Sequence, residues 1–246
     1  MHFKRYGEAQ GPCSIIIGTW DPLILWDINL IKRFCRDAKA RKQKACVVLI
    51  SPSPREILSG QRKLTYDCEQ SRIEMMREIG ADAVLKVAMS KKDLDRSASY
   101  FMHRLRRLMP IVSLYLGARQ SLGFQGLGSQ KTVLALCQRM NIQVTIFRYS
   151  YQKHLQLTEF YKKMETASLE ELQPLMRRAP TWFKPETDRI RINWPQGLYL
   201  VQAHGNGKVQ PGIVRVKTVQ GKHTYFNWPA NKEIRKIVFN TVVNEY

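Results

Sequence analysis

Short apolar runs alternate with longer segments of helical periodicity over the first 150 residues of the chain. The runs are rich in β-branched side chains: CSIIIGT (13–19), ACVVLIS (45–51), DAVLKVA (82–88), IVSLYLG (111–117) and IQVTIF (142–147). The segments with helical spacing cover about 27–43, 67–80, 94–108 and 128–140. Strands that alternate with helices in this way predict βαβ units. The expected fold is α/β, with a mainly parallel sheet that carries helices on both faces.

The turns after three of these strands mark the predicted functional edge. In open parallel sheets, ligands bind beyond the carboxyl ends of the strands. The segments 18–26, 51–55 and 117–128 follow three of the predicted strands, so we expect them to meet at this edge. The first begins GTWDPLILWD (18–27), a tight turn that leads into a basic helix.

A different pattern begins near residue 189. Alternating apolar and polar positions predict antiparallel strands at RIRINW (189–194), GLYLVQAHG (197–205), QPGIVRVKTV (210–219) and KHTYFNW (222–228). GNG at 205–207 and QG at 220–221 are typical of hairpin turns. The proline-containing stretch APTWFKPETD (179–188) is typical of a linker. We predict a first domain at 1–180, a linker at 181–192 and a small antiparallel β-barrel-like domain at 193–246.

The net charge is the most unusual feature of the composition. The chain has 40 Lys and Arg against 20 Asp and Glu, a formal charge of +20. Residues 1–150 carry 25 cationic and 12 acidic side chains and the remainder carry 15 and 8, so the charge is not confined to a tail. A basic protein of this kind favours a polyanionic partner: nucleic acid first, an anionic membrane surface second, or an acidic protein in a larger assembly. The alternative is that the charge serves only solubility.

Cysteine usage and hydropathy limit the remaining classes. The five cysteines have no C-x-x-C spacing and the five histidines occur singly, so no metal site is predicted. Cysteines without such a pattern predict reduced thiols, and hence the cytoplasm or another reducing compartment. No signal peptide is predicted, and no apolar run approaches the roughly 18 residues of a transmembrane segment.

The order of motifs resembles one family, the bacterial bifunctional riboflavin kinase/FAD synthetases. Gly18, Thr19, Trp20 and Asp21 match the family's opening G-T-F-D with one aromatic exchange, and ISPSPREIL (50–58) is similar to its F-D-P-H-P-R segment. LGARQSLGFQGLGSQK (116–131) resembles the G-x-D-F-x-F-G loop, and QGLYLVQAHGNGKVQPGIVRV (196–216) resembles the first hairpin of the kinase barrel. The resemblance implies a Rossmann-like (HUP-type) domain that adenylylates FMN with ATP.

The same resemblance identifies departures at the phosphate-binding positions. The two histidines of the family's H-x-G-H motif fall on Ile24 and Asp27, and the glycine between them falls on Trp26. Ile24 cannot donate to phosphate, and an ionised Asp27 would repel it. Of the later S-S-T-R-I-R motif only Thr158 remains, with Glu159 in place of arginine. The family's kinase motif G-x-P-T-A-N is absent, so the resemblance implies a degenerate, shortened member with no catalytic residues.

The positions that retain the family pattern define the candidate cofactor site. Residual binding of FMN, FAD or ATP is the only cofactor chemistry left open, and Trp26 is expected to be at least half buried in the former phosphate pocket. Two alternatives to an inactive binding protein remain: an FMN adenylyltransferase that uses cations of the helix at 32–42, and a flavin or nucleotide sensor. The candidate cofactor-binding residues are Gly18, Thr19, Trp20, Asp21, Pro52, Gly117, Gly123 and Thr158.

Basic side chains on two predicted helices form the candidate nucleic-acid surface. Each group alone is typical of a solvated helix face, and together with the charge of +20 they favour a polyanion. The candidate residues are Lys32, Arg33, Arg36, Lys39, Arg41 and Lys42 after the first turn, with Arg104 and Arg107 further along.

Overall fold

The structure is a computed structural model of the 246-residue chain. It describes residues 1–60, 68–117, 122, 129–148, 181–183, 189–192, 197–205, 208–219, 223–227 and 234–243. Two compact units are distinguished, one built around each of two β-sheets.

The first unit contains a six-stranded sheet of the predicted α/β type. Its strands are β1 (His2–Gly7), β2 (Cys13–Gly18), β3 (Lys44–Ile50), β4 (Ala83–Ala88), β5 (Ile111–Gly117) and β6 (Gln143–Phe147). Their order in the sheet is β1-β4-β3-β2-β5-β6. The five strands from β2 to β6 are parallel, and only β1 is antiparallel to its neighbour β4. This arrangement confirms the Rossmann-like prediction.

Six described helices connect these strands: α1 (Leu25–Ala40), α2 (Pro54–Ser59), α3 (Glu69–Glu78), α4 (Lys91–Leu94), α5 (Ala98–Arg106) and α6 (Gln130–Arg139). Local capping explains where several begin. The Ser53 hydroxyl accepts from the Glu56 backbone N–H while the Glu56 carboxylate accepts from the Ser53 N–H, which is a capping box, and Gly60 ends the helix with a left-handed φ of 65°. The short helices α2 and α4 escaped the sequence prediction because four to six residues carry too little periodicity.

The two faces of the sheet are covered by different helices. One face packs against α5 and α6 through a continuous apolar core that includes Ile15, Val48, Phe101 and Leu136. Right-handed crossovers place α1 and α3 on the opposite face, because both connect strands in the opposite direction along the sheet from α5 and α6. These helix faces decide which basic side chains share a surface.

Helix α1 is fixed to its face by an aromatic pair and by a polar group below it. Phe34 is fully buried, and its ring meets that of Tyr115 on β5 edge-on with the centroids 5.0 Å apart. The Ser14 and Ser113 hydroxyls lie 2.6 Å apart, and both are within hydrogen-bond distance of the Gln43 side-chain oxygen in the turn after α1. Each of these buried hydroxyls therefore has a hydrogen-bond partner, so the sheet tolerates polar groups in its interior.

Strand β1 was not predicted from the sequence. HFKRYG has too many polar residues for a core strand, yet it pairs with β4 along its whole length at the edge of the sheet. An edge strand needs only one partner, so its charged side chains remain in solvent. The pairing is set by β4, which lies about 80 residues later in the chain and is not visible in the local pattern.

The second unit contains an antiparallel sheet, which is consistent with the predicted small β domain. Its strands are β7 (Thr181–Phe183), β8 (Arg189–Ile192), β9 (Gly197–Gly205), β10 (Lys208–Val219), β11 (His223–Asn227) and β12 (Ile234–Val243), in the order β7-β12-β9-β10-β11-β8. The hairpins predicted at 205–207 and 220–221 join β9 to β10 and β10 to β11. Strands β7 and β8 lie inside the segment predicted as a linker, and the domain boundaries themselves stay a prediction.

None of the five cysteines, all of which lie in the described part of the chain, forms a disulfide. Burial raises the pKa of Cys35 and of Cys46 to about 12 and that of Cys137 to about 11. These thiols are therefore protonated and unreactive near neutral pH. No helix in the described residues combines the length and hydropathy needed to cross a membrane.

The contact between α1 and β5 has a measurable dependence on pH. Burial, together with the hydrogen bond to Asp37, raises the pKa of Tyr115 to about 12, above the value of about 10 in an unfolded chain. The stability contributed by the neutral phenol is thus complete below about pH 10 and is lost as the pH rises towards 12. We expect the free energy of unfolding of the wild type to fall over this range relative to that of Tyr115→Phe, measured by urea denaturation. If the free energies of unfolding of the two proteins changed in parallel with pH, the raised pKa of Tyr115 would be contradicted.

Candidate functional site

The carboxyl ends of β2 and β5 form the switch point of the first sheet. From β2 the chain crosses to β3 on one side, whereas β5 lies on the other side of β2. Ligands of doubly wound sheets bind in the crevice at such a point. Gly18 ends β2 and Gly117 ends β5, so two of the predicted site residues lie at the expected edge. Pro52 follows β3, the other neighbour of β2, and is exposed.

The end of β2 is covered by the indole of Trp20. A Cβ atom added to Gly18 would lie 2.7 Å from Cε2 and 2.9 Å from Cζ2 of this ring, closer than real side chains approach. Trp20 itself has a left-handed φ of 49° and is 7% exposed. Its indole N–H donates to the Val48 carbonyl on β3 at 3.2 Å. The packing of the Trp20 ring therefore requires glycine at position 18, whether or not a ligand binds there.

The turn after Trp20 is apolar and buried. Pro22, Leu23 and Ile24 are all buried, and Ile24 is completely inaccessible. Pro22 also lacks a backbone N–H. Phosphate sites at such turns depend on backbone N–H groups and side-chain donors that face solvent or ligand. Pro22, Leu23 and Ile24 are buried and have no side-chain donor, so their side chains offer nothing that could bind a phosphate.

A buried carboxylate occupies the first turn of α1. Asp27 is 2% exposed and lies two residues after the first residue of the helix. The partial positive charge of a helix N-terminus stabilises an anion, and a carboxylate of the protein supplies that anion here. Trp26, one residue earlier, is partly buried, as expected; its position relative to the strand at 12–18 stays a prediction.

Asp21, the last residue of the G-T-F-D-like motif, forms a buried ion pair. Its Oδ2 lies 3.4 Å from Nη1 of Arg72, and the two side chains are 12% and 5% exposed. Breaking such a pair leaves an uncompensated charge in the interior, which costs about 3–5 kcal/mol. Sequence reasoning missed Arg72, because its pairing with Asp21 across about 50 residues leaves no local signal.

The structure separates the predicted basic residues into two groups. The six side chains of α1 and the turn after it are all exposed: Lys32, Arg33, Arg36, Lys39, Arg41 and Lys42. Arg104 and Arg107 belong to α5 and the residue after it, on the other face of the sheet. Arg104 also lies over the Phe3 ring, with 5.5 Å from its guanidinium carbon to the ring centroid. The eight predicted residues therefore do not form one surface.

Three further positions that carried the sequence argument lie outside the described residues: Gly123, Thr158 and Glu159. Within the described residues, no group of three or more His, Cys, Asp or Glu side chains is placed to hold a metal ion.

Comparison with known proteins assigns a family to the first unit. A family model described as FAD synthetase matches residues 7–159. No match was found among the curated proteins.

Among solved structures, the fold is similar to that of a macrolide-efflux protein from Streptococcus pneumoniae, with a TM-score of 0.67 and 11% sequence identity over 97% of this chain and 88% of that chain. A universal stress protein from Archaeoglobus fulgidus matches with a TM-score of 0.35 and 12% identity, over 55% of this chain and 98% of that one. A universal stress protein in complex with cAMP matches with a TM-score of 0.34 and 13% identity, over 58% of this chain and 100% of that one. At these identities the likeness concerns the fold alone, and the two lower scores carry no argument.

The contact between Gly18 and Trp20 predicts strong coupling in a double-mutant cycle. Gly18→Ala should destabilise the wild type by about 1–3 kcal/mol, because the new methyl group overlaps the indole. Trp20→Ala should cost about 3–5 kcal/mol through the cavity that it leaves. In the Trp20→Ala background the alanine at position 18 should cost far less, so the two effects should not add. Free energies of unfolding from urea titrations measure all four proteins, and additive values would show that the ring does not lie on Gly18.

Proposed function

Because the chain belongs to the FAD synthetase family, we propose that it retains the adenylyltransferase scaffold of that family without its catalysis and serves as a basic binding protein for polyanions. In this proposal the protein is a degenerate, shortened family member. It is a component of a nucleic-acid-containing or other polyanionic assembly in the cytoplasm or another reducing compartment.

The observation that carries the proposal is the buried apolar turn between β2 and α1. Transfer of a nucleotidyl group depends mainly on positioning and on groups that stabilise charge on the phosphates. At the positions where the resemblance places two histidines, the chain has a completely buried Ile24 and a buried Asp27. Neither side chain supplies a cation or a donor to a phosphate.

Electrostatics at the helix N-terminus support the same conclusion. The N-terminal turn of α1, the end of a helix that favours anions in related folds, is occupied here by an acidic side chain of the protein, the buried Asp27.

The excess of positive charge supports the binding role. The formal charge of +20 makes polyanions the favoured partners, and α1 alone exposes a series of cations at its surface. Such surfaces attract nucleic acid through counterion release, without any need for a catalytic site. The scaffold then serves to present the charge on rigid helices.

We expect the purified protein to form no FAD from FMN, ATP and Mg²⁺, and no FMN from riboflavin. Ordinary enzymes turn over about 10 times per second, and we expect a rate at least a hundredfold lower. Chromatographic separation of the flavins measures both reactions, with an active bacterial FAD synthetase as the positive control.

A variant without two cations of α1, Lys32→Ala/Arg36→Ala, separates the rival hypotheses. If the wild type is active and this variant is not, the protein is an adenylyltransferase that recruits α1 for catalysis, and the proposal is wrong. If flavin or ATP binds without turnover, the protein is a sensor. Inactivity with no flavin bound after purification agrees with the proposal.

A further inference from the structure

The exposed side of α1 concentrates cations in a regular array. Lys32, Arg36 and Lys39 have i, i+4 and i+7 spacing, which places them on one stripe of the helix surface. Arg33 flanks the stripe, and two further cations follow in the turn before β3. We call this set the α1 ridge: Lys32, Arg33, Arg36, Lys39, Arg41 and Lys42.

The acidic residues of helix α1 do not neutralise the positive charge of the ridge. Helix α1 contains two acidic residues, the buried Asp27 and the partly buried Asp37. Asp37 lies 3.9 Å from Arg33 Nε and 3.8 Å from Arg36 Nε, but those arginine side chains are 70% and 78% exposed. Exposed pairs at such distances are weak. Within α1, the ridge therefore has only weak ion pairs between Asp37 and two of its arginines.

The ridge is also held in place by the sheet beneath it. The Tyr115 hydroxyl donates to Asp37 Oδ2 at 2.7 Å, which ties that carboxylate to β5. The Arg41 guanidinium lies over the Tyr115 ring, 5.9 Å from its centroid, and donates to the Thr145 hydroxyl on β6 at 3.4 Å. A surface fixed in this way loses less conformational entropy when it binds a partner.

The surroundings give the ridge a defined extent. On the same face of the sheet, α3 carries Glu74 and Glu78 beside Arg77, so the positive charge does not continue evenly across that helix. The exposed cations of α5 and α6 lie on the other face. Within the part of the first sheet and its helices that the structure describes, the ridge is thus a strip of cations along one helix.

We propose that the α1 ridge binds the phosphate backbone of nucleic acid. With a rise of 1.5 Å per residue, the stripe from Lys32 to Lys39 extends about 10 Å. This is roughly the span of three successive phosphate-to-phosphate steps on one strand of a duplex, each about 3.4 Å along the axis. The inference rests on the proposed function, which supplies the polyanionic partner, and adds the surface and the class of that partner.

The side chains of the ridge favour nucleic acid over an acidic protein. Protein interfaces have a buried centre that is rich in aromatic and apolar residues and poor in charged ones. Interfaces with nucleic acid are polar and strongly positive. No large hydrophobic side chain of the described residues is exposed on α1; those that are exposed lie elsewhere, at Leu58, Tyr100, Leu108, Ile146 and Val209.

Two triple variants of equal charge test the proposal. Lys32→Ala/Arg36→Ala/Lys39→Ala removes the stripe, and the control Lys92→Ala/Lys131→Ala/Arg139→Ala removes three exposed cations of α4 and α6. The six side chains are all exposed, so the fold should survive, and urea denaturation checks this. The probes are a short DNA duplex of mixed sequence, the RNA duplex of the same sequence, heparin and polyglutamate, each titrated by fluorescence anisotropy or competition over a range of salt concentrations.

We expect the ridge variant to bind both duplexes about a hundredfold more weakly than the wild type at physiological salt. For the DNA duplex, the slope of log affinity against log salt should fall by between about two and three, since each lost phosphate contact removes about 0.9. For the control variant, the slope of log affinity against log salt should fall by less than one. A preference for one of the two duplexes would identify the natural nucleic acid. In either case the α1 ridge would be the surface that binds it.

The remaining outcomes separate failure of the inference from failure of the proposed function. Equal losses in the two variants would mean that net charge alone acts, which overturns the inference. Binding to polyglutamate or heparin without binding to either duplex overturns it as well; both results leave a non-catalytic polyanion-binding protein. If the wild type binds none of the four probes, or turns over FMN, the proposed function fails first.

Discussion

The buried apolar turn between β2 and α1 is the constraint on which the functional account depends. It follows Trp20, whose ring packs on Gly18 at the end of β2 and whose indole N–H donates to the Val48 carbonyl on β3. The switch point of a parallel sheet is the position at which this fold ordinarily receives a ligand. Here the chain instead continues from that ring into a buried apolar turn, and a buried Asp27 occupies the helix N-terminus.

The scaffold and the charge can therefore serve different purposes. The first unit contains a mostly parallel six-stranded sheet with helices, so the protein has a rigid α/β framework. The cations of α1 project from that framework on the face opposite to α5 and α6. The proposed loss of phosphate binding at the turn and the proposed binding role of the cations along the following helix are compatible, because the buried side of α1 fixes the helix while its exposed side is free to vary.

Local pattern predicted most of the first sheet, since its strands and main helices each have a clear period. It failed where a distant partner decides the structure. Strand β1 exists because β4 offers an edge, and Asp37 is held by Tyr115 from 78 residues away. The chemistry of the turn was visible in Ile24 and Asp27, but the sequence suggested Trp26 as the side chain that fills the site. The ring that covers the end of β2 belongs to Trp20. The match of Trp20 to the family's aromatic position did not show that its ring packs on Gly18.

The most direct test of the account is calorimetric titration of the wild-type protein with ATP in the presence of Mg²⁺, and separately with FMN. Substrates of ordinary enzymes bind in the range of about 1 μM to 1 mM. If the turn between β2 and α1 has lost its phosphate site, ATP should give no saturable heat below about 1 mM, equivalent to a binding free energy weaker than about 4 kcal/mol. Saturable binding of ATP in the micromolar range, abolished by Asp21→Ala without loss of the fold, would contradict the account.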